Sequence, residues 1–128
     1  MHTLKLKKLD KRNIYVSSYT SFPELVLLSR FLEDFVDDHG IKFIKKMIED
    51  PFSHGVAGNN SAVNKLKDGK ISISDLYAAD HDDSSVDLEV DVLLSIMECF
   101  DKASETLPKG IIITFDDNLR NPHVEIVQ

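Results

Sequence analysis

The sequence predicts an α+β fold, and three observations carry that prediction. Short runs of alternating apolar and polar residues stand at both ends of the chain, and amphipathic stretches of helical period fill the middle. The length of 128 residues suits one domain spanning 1–128. The expected arrangement is an antiparallel or mixed sheet, built from N- and C-terminal hairpins, with a helical middle packed on one side.

Leu4 and Leu6, then Ile14 and Val16, alternate with polar neighbours around Asp10-Lys11-Arg12-Asn13, the pattern of a first hairpin. Ser21, followed by Phe22, Pro23 and Glu24, reads as a cap ahead of a helix running to about His39. Its apolar face is Leu25, Leu28, Leu32, Phe35 and Val36, and Gly40 suits the left-handed position after its C-terminus. Ile41, Ile44, Met47 and Ile48 define a shorter helix that Pro51 stops, with Lys42, Lys45 and Lys46 outward. Phe52 to Asn60 reads as loop.

Asn60 or Ser61 is expected to cap a third short helix ending at Asp68-Gly69, and Ser72 or Ser74 another near Asp75 to Ala79. The polar cluster Asp80-His81-Asp82-Asp83-Ser84-Ser85 reads as loop. From Val86 two periods compete. Val86, Leu88, Val90 and Val92 alternate as a strand would, whereas Val86, Val90, Leu93, Met97 and Phe100 lie on one helical face. The length of the periodic segment and its acids favour a helix, with the strand kept as the alternative for its first turn and a half. Ile111 to Phe115 reads as a buried strand, and His123 to Val127 as the last strand.

Charge is distributed unevenly along this frame. Between Ile71 and Asp101 there is no lysine or arginine, yet Asp75, Asp80, Asp82, Asp83, Asp87, Glu89, Asp91, Glu98 and Asp101 all fall there. This stretch holds the whole excess behind the net charge of -7. A concentrated field of one sign speeds encounter with the opposite sign and repels wrong partners. The same balance argues against direct nucleic-acid binding, which rests on lysines and arginines at phosphates. Apolar runs fall far short of the roughly 18 residues of a membrane span. The lysines among the first leucines leave no signal-peptide core, and the lone Cys99 offers no internal disulfide, so a cytoplasmic setting is expected.

Catalytic and metal motifs fare poorly. Asp68 to Asp75 matches the second half of a calcium loop, but Leu66 falls where an oxygen ligand is required. Asp80, Asp82 and Ser84 have calcium-loop spacing, but Ser85 replaces the glycine of the sharp turn. The five histidines lack zinc spacing, and Cys99 reads as a core residue. His81, between Asp80 and Asp82, is expected to be a pH-sensitive point of the acid cluster. A helix-turn-helix over Ser61 to Ala79 would offer Asp75 and Tyr77 to DNA, with no base-reading arginine, asparagine or glutamine. No enzyme activity, cofactor or metal is therefore expected.

The remaining candidate is a partner-binding surface of Asp80, Asp82, Asp83, Asp87, Glu89 and Asp91, with Tyr77 as its aromatic anchor. In its small size, acidity and unpaired acid cluster the chain resembles bacterial toxin-neutralising immunity proteins, particularly those of contact-dependent growth inhibition systems. The resemblance implies a partner in the cationic C-terminal domain of a toxin, commonly a nuclease. A generic acidic adaptor is the alternative that the same residues allow.

Overall fold

A computed structural model describes residues 1–9, 14–35, 38–58, 60–76 and 84–128, with the backbone alone at 38 and 39. Two four-stranded antiparallel sheets and three helices make up this part of the chain, an α+β fold. Strands β1 (His2–Lys8) and β2 (Tyr15–Thr20) form the expected N-terminal hairpin. Strands β7 (Gly110–Phe115) and β8 (His123–Val127) form the C-terminal one. The hairpins join through β1 and β7, with Leu4 opposite Ile113 and Leu6 opposite Ile111, giving the order β2-β1-β7-β8.

The expected helical middle contains a second sheet. Strands β3 (Gly55–Ala57), β4 (Ser61–Lys65), β5 (Lys70–Asp75) and β6 (Ser85–Glu89) pair in chain order. The segment read as a helix from Asn60 or Ser61 is thus β4, and part of the presumed loop before it is β3. Asp68-Gly69 is a hairpin turn and not a helix end. Gly69 has φ 89°, Leu66 N donates to Lys70 O at 2.9 Å, and Lys70 N donates to the Asp68 carboxylate at 3.0 Å. Ile71 and Ile73 then alternate inward with Ser72 and Ser74 outward, so the two serines are strand residues and cap nothing. The expected helix near Asp75 to Ala79 begins on β5, and its residues 77–79 lie outside the described residues.

Helix α1 (Leu25–Asp34) is shorter than expected, and α2 (Asp38–Glu49) takes up residues assigned to its end. Ser21 is not its cap. The Ser21 hydroxyl accepts from Thr3 N, and Ser21 N donates to Thr3 O, both at 2.9 Å, so this serine extends the sheet contact. Gly40 lies inside α2, where a Cβ would stand 2.8 Å from the Phe35 carbonyl oxygen. Glycine there permits close approach between the two helices rather than a left-handed turn.

Helix α3 (Val90–Ser104) begins only after β6, so the favoured helix from Val86 is a strand for its first residues. Val86 and Leu88 are 2% and 1% exposed, because register with β5 sets them opposite Ile73 and Ile71. α1 touches β1 and β2 of one sheet and β4, β5 and β6 of the other, and α3 likewise touches both sheets. Phe31, Leu28, Leu93, Ile96, Ile113 and Phe115 therefore belong to one continuous core.

Lys65 faces inward from β4 and ends at the C-terminus of α2. Its Nζ donates to the carbonyls of Met47 at 3.1 Å, Ile48 at 3.4 Å and Asp50 at 2.7 Å. A cation suits that end of the helix dipole and satisfies oxygens left without intrahelical donors. Lys65→Met, which keeps the stem and removes the charge, should lower the unfolding free energy by about 1 kcal/mol in urea titrations.

Candidate functional site

Three of the expected partner-binding residues are brought together where β6 runs into α3. Alternation along β6 buries Val86 and Leu88 and turns Ser85, Asp87 and Glu89 to the other face of the sheet. Asp87 is exposed, and its carboxylate accepts from the Ser85 hydroxyl at 3.2 Å. The chain leaves the strand at Glu89, with φ −65° and ψ 147°, and turns directly into α3. Asp91 then falls in the first helical turn, exposed, where negative charge suits the dipole, and its carboxylate accepts from Val92 N at 3.2 Å. Tyr77, Asp80, His81, Asp82 and Asp83 lie outside the described residues.

Several acids of the lysine-free stretch acquire cations from distant segments. Arg120, in the turn between β7 and β8, donates to Glu89 at 2.7 Å, Lys45 of α2 donates to Glu98 of α3 at 3.0 Å, and Arg30 of α1 pairs with Asp75. These pairs are largely exposed and contribute little to stability. They matter to the field: among the described residues, Asp87 and Asp91 differ from these acids in that their described partners are a neutral hydroxyl and a backbone N–H. A shallow cavity of about 270 Å³ adjoins it, lined by Glu89, Asp91, Val92, Ser95, Arg120 and Asn121 among others.

Asp116 shapes this border. Its carboxylate accepts from Asn118 N, Arg120 N and Asn121 Nδ2, each at 2.9 Å, and so holds the turn that delivers Arg120 to Glu89. Leu119 and Asn121 take left-handed φ values of 57° and 52° within it. The hydrogen bond from the Arg120 backbone, helped by those from Asn118 and Asn121, holds the Asp116 carboxyl below its ordinary pKa of 3.8. A depressed folded pKa contributes stability that is present above the unfolded value and lost as pH falls through the folded one. Asp116→Asn should therefore flatten the acid side of the stability curve below about pH 4, read from urea midpoints against pH.

Phe52 is the feature that sequence reading passed over. It is 88% exposed in the turn after α2, where its N–H donates to the Asp50 carboxylate at 2.9 Å. The signal was an aromatic directly after Pro51, beyond the last position of the helical stripe. Phe43 is exposed as well, stacked on Phe35 with centroids 6.2 Å apart. Cys99 is exposed on α3 and not in the core, because it borders the buried stripe of Val92, Leu93, Ile96, Met97 and Phe100.

Among the described residues, no group of three or more histidines, cysteines or acids is placed to hold a metal ion. No helix among them is long and apolar enough to cross a membrane. Compared with family models, with curated proteins and with solved structures, the chain matches none.

Proposed function

We propose that this chain is a cytoplasmic immunity protein without catalytic activity. In this reading it binds the cationic domain of a toxin, a nuclease by its chemistry, and covers the surface with which that domain meets phosphate. The observation that carries the reading is the exposed pair Asp87 and Asp91 at the junction of β6 and α3, within a sequence stretch free of lysine and arginine. Carboxylates held on a strand and a helix start keep their spacing, so they meet a basic surface without first being ordered. Specificity then falls to apolar and aromatic contacts beside the charged ground. An acidic adaptor is the second reading, resting on the same residues, and it differs in that its partner is not toxic.

Co-expression with the reading frame immediately upstream separates the two. Growth rescue together with a copurifying complex is the result expected of an immunity protein. A stable complex with a harmless partner would leave the adaptor, and neither rescue nor complex with that frame would remove the immunity reading for it.

A further inference from the structure

The second sheet ends at β6, which among the described elements pairs with β5 alone. An edge strand leaves the N–H and C=O groups of alternate residues turned away from its neighbour, and these can accept another strand. The four sheet edges differ in how well they would do so. β3 has three residues, and β2 pairs with β1 through a register irregularity at Lys5 and Leu6. On the outward row of β8 the Glu125 carboxylate is already bonded to His123, at 3.1 Å. β6 has five residues in unbroken register with β5, and on its outward row Asp87 is exposed with a neutral hydroxyl as its described partner, while Glu89 at the end of the row pairs with Arg120.

That row selects what can pair with the edge. A second copy of the chain, docked antiparallel about its centre, would set Asp87 against Asp87, and like charges directly opposite are destabilising. A basic strand meets the reverse situation. We propose that β6 receives an extended segment of the cationic partner as a fifth strand of this sheet, with lysines or arginines beside Asp87 on the outward face. The inference rests on the reading of a cationic partner and adds how that partner is held. The added strand would lie about 4.8 Å from β6. Its alternate side chains would continue the buried row of Val86 and Leu88, on the side where α1 and α3 touch β6. The segment recognised therefore alternates basic residues with small apolar ones. Backbone hydrogen bonds supply the affinity and the two side-chain rows supply the choice.

The test uses two synthetic decapeptides of equal length and charge, one alternating lysine with valine and one alternating lysine with proline. Proline offers no N–H and fixes φ near −65°, so the second peptide keeps the charge and favours the polyproline helix over a paired strand. Titrated into the full chain at low salt, the lysine–valine peptide is expected to bind at least about ten-fold more tightly. It should also slow amide hydrogen exchange within residues 85–89. Asp87→Lys should abolish that difference while leaving the melting temperature close to that of the unaltered chain.

Equal affinities for the two peptides, exchange protection elsewhere than at 85–89, or no binding of either would overturn the proposal. Strand-dependent binding alongside failed rescue in co-expression would retain the edge and discard the toxin, so the two readings fail separately.

Discussion

Alanine in place of Asp34 is expected to lower the unfolding free energy by about 2 kcal/mol, the largest loss from any polar substitution considered. Asp34 is the last residue of α1, an unfavourable place for negative charge against the helix dipole. What holds it there is the turn between β3 and β4. Its carboxylate accepts from Asn60 N at 2.8 Å, Ser61 N at 2.9 Å and Asn60 Nδ2 at 3.3 Å. Ser61 is buried, so without the carboxylate its N–H would have no ready exchange with water. The same side chain sets the room at Gly58, where a Cβ would come within 2.6 Å of the Asp34 carboxylate. Urea unfolding should show a lower midpoint at an unchanged slope, and Asp34→Asn, which keeps an acceptor, should lose about half as much. A midpoint shift smaller than that from Lys65→Met would mean that the turn holds itself.

Reversing Asp87, Glu89 and Asp91 together to lysine should slow association with the proposed cationic partner by about 100-fold at low ionic strength. The dissociation rate should change far less, because steering acts on encounter. Raising the salt should close most of the gap, since screening weakens exposed charges beyond about 10 Å. The fold should survive: the Glu89 pair with Arg120 is exposed, and the Asp91 contribution at the helix start is below about 1 kcal/mol. Reversing Glu98 on α3 and Glu105 just past its end, both further along the chain from β6, serves as the control, and an equal slowing there would reduce the role of the β6–α3 junction to bulk charge.

The terminal hairpins and the helical stripes were legible in the sequence because each is a local pattern. Leu4 and Leu6 alternate within one strand, and Leu25, Leu28 and Leu32 repeat within one helix. The second sheet was misread for an equally local reason. Ser61, Ser72 and Ser74 are good helix caps and ordinary strand residues alike, and Gly69 ends helices as readily as it turns hairpins. Only pairing decides between them. Ile71 and Ile73 become strand residues by lying opposite Val63, Lys65, Val86 and Leu88. The candidate site divides in the same way. Asp87 and Asp91 could be named from the charge run, but Arg120 beside Glu89 and Lys45 beside Glu98 are contacts across 31 and 53 residues. That β6 is an edge among the described strands followed from topology and from nothing in its own five residues.

The pairing of β1 with β7 also bears on how the molecule comes into being. Closing a loop of the length between Leu4 and Ile113 costs on the order of 4 kcal/mol in chain entropy, against far less for each successive hairpin of the second sheet. During synthesis β1 leaves the ribosome long before β7 exists, so the β3–β6 hairpins are available to form while the N-terminal hairpin still lacks its central neighbour. Completion of the first sheet is thus the late event in folding. A chain interrupted before Gly110 would carry the acidic strand and its helix, and expose the hydrogen-bonding edge of β1 that β7 otherwise covers.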